Sequence, residues 1–312
     1  MAETGILPHD RGHLLWTADE GVSRLLLSSM DRWVTTILAD DCIDSPLFGM
    51  GEKTTATIIA KDDGLVAGTA MVDHLIQIWA PSISINWHAS DGKKVSMGDN
   101  IATINGDQES ILKIERSILN ILGQLSGIAT ETKKWSSVAV KQIACTRKTT
   151  WGLLDKWAVH LGGGLTHRLN REDALMIKEN DLATMDNSSN DNSEKIAKFI
   201  QDIDVEQLNS FLEIEVRTEK EAITAAAIWQ NTHGESGHKA VIMLDNFGPE
   251  KSKQVVSQLE DMGLREAVYL EASGNITHEK LDQWFECGID VLSTSAINRG
   301  VKPLDMSMIF GD

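Results

Sequence analysis

Cations crowd one stretch of an acidic chain. Residues 146–168, TRKTTWGLLDKWAVHLGGGLTHR, carry Arg147, Lys148, Lys156, His160, His167 and Arg168 around the glycine run Gly162–Gly164. The 312-residue chain has 46 acidic against 29 basic residues, a formal net charge of −17. Such a field repels nucleic acid and anionic membrane surfaces at long range. A small anionic ligand is a different matter, because a local cationic pocket outweighs the global field within a Debye length, roughly 8 Å. Arginine forks match carboxylates and phosphates with two hydrogen bonds at a time, and lysine supplies a compact charge. Several together suit a ligand bearing more than one such group. Lys156 and His160, inside the intervening helix, read as structural.

A second set of polar residues sits where short apolar runs end. MIKEND contributes Lys178, LEIEV contributes Glu213 and Glu215, IMLDNF contributes Asp245, and YLEASGN contributes Glu271 and then Ser273-Gly274. Glu215 and Asp245 on neighbouring strands suit an oxygen-ligated Mg²⁺, or the hydroxyls and developing positive charge of a ribosyl group. Glu213 shares a strand face with Glu215 and reads either as a further site carboxylate or as the partner of a nearby lysine. Ser273-Gly274, at a strand-to-helix turn, offers backbone N–H groups to a phosphate. A polyanionic small molecule and a magnesium-chelated phosphosugar fit the whole set.

The elements needed to hold these residues can be read from periodicity. After residue 141, apolar runs at 142–146, 174–177, 212–216, 240–244, 268–271 and 291–294 alternate with helical patterns such as 218–231 and 249–262. Six strands with helical crossovers predict a parallel sheet or barrel, whose site lies at the strands' carboxyl ends. Ahead of it, Asp63-Gly64, Asp91-Gly92 and Gly98-Asp99 punctuate short antiparallel strands. A long apolar helix follows from about residue 110, with a break expected near Gly127. The predicted organisation is an extension over 1–28, a front α/β domain over 29–140 that the tail 300–312 joins, and the barrel over 141–299. Three scattered cysteines, Cys42, Cys145 and Cys287, form no CxxC pair and suggest a reduced, cytoplasmic protein. No secretory leader and no membrane span are expected.

The ordered segments KTTATIIAKDDGLVAG, GDNIATINGDQESILKIERSILNILGQLSGIAT, TRKTT, GGGLTHR, DALMIKEND, LEIEV, IMLDNFGPE, YLEASGNI and GIDVLSTSAI resemble the quinolinate phosphoribosyltransferase (nicotinate-nucleotide pyrophosphorylase) family. The resemblance implies an N-terminal α/β sandwich followed by an open α/β barrel of the type II phosphoribosyltransferase kind. It implies conversion of quinolinate and phosphoribosyl pyrophosphate to nicotinate mononucleotide, pyrophosphate and carbon dioxide, with Mg²⁺, in a homodimer or higher assembly of dimers with shared sites. Arg116 would then reach a neighbouring subunit's site. Arg147, Lys148, His167, Arg168 and Lys178 would bind the dicarboxylate and pyrophosphate, Glu215 and Asp245 would sit by the ribose and Mg²⁺, and Ser273-Gly274 by the 5-phosphate. Lys148, Glu215 and Asp245 are the expected catalytic residues. Other readings of the same fold are a paralogue with a different acceptor, the molybdenum-transport-associated branch, or a non-catalytic carboxylate-binding protein.

The chain departs from the family's pattern at Trp151 and Leu154, where proline and arginine are usual, and at Asp181, where histidine is usual. Asn275 and Ser295 stand in place of glycines, and Asn298-Arg299 in place of Thr-His. DNSSNDNSEK (186–195) reads as a surface insertion.

Overall fold

In the computed structural model, which describes residues 7–139, 142–185 and 191–311, the chain divides into two compact units. One comprises Arg11–Ser137, Lys148–Thr166 and Ile297–Asp312, and the other Met1–Asp10, Val138–Arg147 and His167–Ala296. The expected boundaries at residues 28 and 140 differ from this division. Residue 28 lies inside a helix, and 148–166, read as barrel, belong to the front unit.

The front unit begins with two short strands, β1 (Trp16–Thr17) and β2 (Gly21–Val22), and helix α1 (Arg24–Asp40). Ser23 caps α1 by accepting from Leu26 N, and Leu26, Met30, Val34 and Leu38 bury one stripe at four-residue spacing. Strands β3 (Lys53–Ala60), β5 (Ser84–Trp87) and β7 (Asn100–Asp107) pair antiparallel, with the C-terminal strand Met306–Phe310 added beside β3. The tail therefore does join the front unit. The run after Asp63-Gly64 forms only a short strand, β4 (Gly64–Leu65), which pairs with β6 (Lys94–Val95) rather than returning along β3. Asp91, the aspartate of a predicted turn, caps α2 (Thr69–Trp79) by accepting from the amides of Gly68, Thr69 and Ala70. A carboxylate there complements the helix's positive end.

The expected break at Gly127 does not occur. Helix α3 runs unbroken from Gln108 to Val138. Its glycines serve a close approach instead: a Cβ at Gly127 would stand 2.4 Å from Lys302 O and 3.0 Å from Pro303 Cα, while Leu304 N donates to Gly123 O at 2.9 Å.

The barrel unit contains six strands: β8 (Ile143–Ala144), β9 (Leu175–Ile177), β10 (Leu212–Val216), β11 (Ala240–Asp245), β12 (Val268–Ser273) and β13 (Val291–Ser293). Their order is β8-β13-β12-β11-β10-β9, with every pair parallel, so the ring is open between its first two strands. This is the expected open α/β barrel. The apolar runs are nearly continuous because parallel strands are covered on both faces. Helix α7 (Glu219–His233) starts with a reciprocal capping box between Thr218 and Glu221, and α8 (Gly248–Asp261) with Pro249 in its first turn. The first half of the expected insertion, 186–190, lies outside the described residues; its second half opens α6 (Asn192–Asp202) under an Asp191 cap.

Gly127→Ala should destabilise the protein by about 1–3 kcal/mol, because the added methyl meets backbone that cannot turn aside. Denaturant unfolding of the variant reads this directly, and wild-type stability would mean that 302–304 does not close on α3.

Candidate active site

Strand register decides which polar residues can meet. Glu213 and Glu215 on β10, Met243 and Asp245 on β11, and Glu271 and Ser273 on β12 occupy one face of the sheet, since Glu215 pairs with Met243, Met243 with Glu271, and Asp245 with Ser273. Residues two apart on a strand share a face, so the paired positions propagate that face across three strands.

At the carboxyl ends, Lys178 follows β9 and its Nζ hydrogen-bonds Glu215 Oε2. Arg217, one residue past β10, contacts Glu179 and places its Nε 3.8 Å from Asp245 Oδ2. After β12 the backbone turns left-handed twice, at Gly274 (φ +97°) and Asn275 (φ +55°). Asparagine is among the few residues that adopt this conformation readily, which explains how it stands in for a glycine. Asn275 Nδ2 reaches Asn246 Oδ1 at 3.3 Å, and Gly274 leaves Asn246 the space a Cβ would take. No left-handed backbone occurs at Ser295, so glycine is not required there.

Arg168 is the cation held most firmly. Its side chain is 94% covered, with Nη1 donating to Ala174 O at 3.1 Å and Nη2 to Met176 Sδ at 3.2 Å. Its Nε is buried with no hydrogen-bond partner among the described residues. Burial lowers its pKa from the usual value; Glu213 opposes this, and Arg147 and Arg171 add to it. Arg147 and Arg168 thus act on one another within the barrel unit. Arg147 itself is exposed.

His167 lies deeper than expected for a ligand-binding residue. It is buried, and its Nε2 stands 3.1 Å from Glu271 Oε2 and 3.3 Å from Glu213 Oε2. Glu213 therefore faces a histidine rather than a lysine, and Glu271 lies two residues inside β12 rather than at its end. Both carboxylates are fully buried, beneath the rim. Burial alone would lower the His167 pKa, yet Glu213 and Glu271 together hold it at about 10. Glu271 is pushed up by its own burial, but His167 and His9 pull it well below the usual carboxylate range.

Two expected site residues belong to the front unit. Lys148 is exposed, and its carbonyl accepts from Asn298 Nδ2 at 2.9 Å; Asn298 also approaches Asp155, which caps the backbone at Thr150 and Trp151. Trp151 stacks on Trp33 at 5.8 Å between centroids, and buried Lys156 donates to Thr166 O at 2.7 Å. Several of the chain's departures thus form one brace around Lys148. Arg116 is exposed, lining an open pocket of about 460 Å³ with Asp41, Cys42 and Lys113. Sequence reasoning missed His9, Arg171 and Arg217. Extending the strand-end filter one residue past Val216 finds Arg217; His9 leaves no local signal.

Residues 34–126 match the family model described as quinolinate phosphoribosyl transferase, N-terminal domain, and residues 128–309 match that of its C-terminal domain. The chain is 33% identical over 276 residues to a Methanothermobacter thermautotrophicus protein named "Probable nicotinate-nucleotide pyrophosphorylase (carboxylating)", covering 86% of this chain and 92% of that one. It is 35% identical over 271 residues to the chloroplastic nicotinate-nucleotide pyrophosphorylase (carboxylating) of Oryza sativa subsp. japonica, covering 82% of this chain and 69% of the other. The solved nicotinate-nucleotide pyrophosphorylase from Francisella tularensis superposes with a TM-score of 0.76 at 30% identity, covering 91% of this chain and 97% of that one.

His167 binds its proton more tightly when folded, at about 10 against 6.5, so its stabilising contribution is complete below pH 6.5 and is lost as pH rises through about 10. Glu271 contributes above its ordinary 4.5 and loses that contribution in acid. Thermal melting should therefore fall more steeply between pH 6.5 and 10 in wild type than in His167→Gln; parallel curves would contradict the pairing.

Proposed function

The chain belongs to the quinolinate phosphoribosyltransferase family, and from that membership we propose that it joins quinolinate to phosphoribosyl pyrophosphate. The products are nicotinate mononucleotide, pyrophosphate and carbon dioxide, a step in NAD biosynthesis. The observation that best supports the site reading is the buried Nε of Arg168, which has no hydrogen-bond partner among the described residues and lies within electrostatic reach of Arg147 and Arg171. A buried donor without an acceptor is costly, and a ligand carboxylate supplies what is missing.

Each residue is assigned a part in that reaction. Arg168 presents Nε to a pyridine carboxylate, and Arg147 and Lys148 add charge for the second carboxylate and the pyrophosphate. The ring nitrogen attacks the anomeric carbon as the pyrophosphate bond breaks, so catalysis at this step is largely positioning. Glu215 and Asp245, on one sheet face, stabilise the oxocarbenium charge that develops there. Lys178 orients Glu215. The quaternised ring nitrogen then draws the electron pair of the adjacent carbon–carboxylate bond; carbon dioxide leaves, and the carbon takes a proton. The left-handed turn at Ser273-Gly274-Asn275 offers amides to the 5-phosphate.

Glu215 and Asp245 also provide the all-oxygen donor chemistry that Mg²⁺ takes, with substrate phosphates and water completing its shell. When bound, the ion would neutralise pyrophosphate charge. Arg116, exposed on α3, completes the site of a second subunit, making the working unit a homodimer.

Incubation with quinolinate, phosphoribosyl pyrophosphate and Mg²⁺ should yield nicotinate mononucleotide, and chelation should abolish the yield reversibly. Arg168→Ala and Lys148→Ala should each weaken quinolinate binding about 10- to 100-fold, the loss of a hydrogen bond or ion contact to a charged group. Near-wild-type affinity in both would refute the pocket. Heterodimers of Arg116→Ala with a barrel-site variant should recover activity; confirmed heterodimers with none would refute sharing.

A further inference from the structure

Beneath the strand ends lies a closed cluster that none of the proposed substrate contacts uses: His9, His167, Glu213 and Glu271. His9 Nε2 lies 2.8 Å from Glu271 Oε2, the same oxygen that His167 Nε2 approaches at 3.1 Å. The rings of the two histidines meet edge to face at 5.0 Å, and His9 also packs against Phe211. His9, His167 and Glu271 offer atoms within 4.8 Å of one another, a spacing that could hold a metal ion.

The hydrogen bonds point to another use. Arg168 N lies 2.7 Å from His167 Nδ1, which accepts only in the neutral ring, and that ring carries its proton on Nε2. The imidazolium carries protons on both nitrogens. In either state Nε2 has no lone pair for a metal, and it hydrogen-bonds Glu271 instead, with Glu213 Oε2 3.3 Å away. The cluster is a hydrogen-bonded brace.

What it braces is a backbone outlier. His167 has φ +53°, in the left-handed region that non-glycine residues enter only where their surroundings over-determine them. The surroundings here are specific: His167 N donates to His9 O at 2.9 Å, Nε2 faces Glu271, and Nδ1 lies against the amide of Arg168. The next residue is the buried arginine whose Nε awaits an acceptor. The direction in which Arg168 leaves the backbone is therefore set at His167, and His9 grips that residue twice, through its carbonyl and through Glu271. His9 lies ahead of both matched family regions, 34–126 and 128–309.

We propose that His9 is a positioning residue of the anion site, contributed by the segment ahead of the family's two domains, which holds the His167–Arg168 pair in its ligand-binding conformation. This rests on the reading of Arg168 as a carboxylate-binding residue.

The test compares His9→Phe, which fills the space but has no N–H to donate, with His9→Gln, which keeps a donor. Quinolinate affinity is measured by calorimetry, and KM for both substrates by steady-state kinetics. His9→Phe should weaken quinolinate binding about ten-fold or more, the worth of a hydrogen bond to a charged group, and leave the KM for phosphoribosyl pyrophosphate unchanged. His9→Gln should recover most of the affinity. Unaltered quinolinate affinity in His9→Phe, or an equal loss for both substrates, overturns the proposal. If His9→Phe does not fold, Glu271→Met, which has no oxygen to accept, breaks the same link and should show the same selective loss; wild-type affinity there overturns it equally. Wild-type protein that binds no quinolinate overturns the site reading and this proposal with it, whereas normal wild-type binding beside an unaffected variant overturns this proposal alone.

Discussion

Two buried carboxylates, Glu213 and Glu271, impose the constraint on which the barrel's site depends. Removing an ionised carboxylate from water costs several kcal/mol unless protons or cations meet it. Both side chains are fully buried, and the groups that meet them are His167 for Glu213, and His167 and His9 for Glu271. The histidine is thereby fixed in orientation, held protonated at Nε2 and kept in a strained backbone conformation. Arg168 inherits its position from that strain.

The rim above is organised by register rather than by burial. Parallel pairing from β9 to β13 delivers Lys178, Glu215, Asp245 and Ser273 to the carboxyl ends of adjacent strands. Cations and carboxylates alternate there: Lys178 on Glu215, Arg217 between Glu179 and Asp245. Such pairs keep the rim charged yet orderly without ligand. Arg168 differs, because one of its buried donors is left unsatisfied.

Much of this was legible in the sequence, and the misses share physical causes. Six strands could be located because buried parallel strands are nearly continuous apolar runs, and β10 was read to the residue. The ends were harder. β12 continues two residues past Glu271, which moves that glutamate from the rim to the interior. Gly127 was read as a break because glycine weakens isolated helices; its actual use, the approach of 302–304, is a tertiary fact. Asp181, replacing a usual histidine, accepts from Lys178 N at 3.0 Å and so caps α5 (Glu179–Thr184). His9 was invisible because its burial depends on partners 158 to 262 positions away, a separation no local pattern encodes.

Three of the departures from the family's pattern fall in two places. Trp151 and Asn298, linked by Asp155, lie around Lys148, while Asn275 keeps the left-handed turn after β12 without a second glycine. Neither change removes a charge from the barrel rim. The central claim is that His167 presents Arg168, through its vacant Nε, to a ligand carboxylate. A crystal structure with pyridine-2,3-dicarboxylate tests it most directly. A carboxylate oxygen within hydrogen-bonding distance of Arg168 Nε, with His167 still left-handed between its glutamates, is the predicted result. A dicarboxylate bound away from Arg168, or an Arg168 swung out of its buried position, would contradict it.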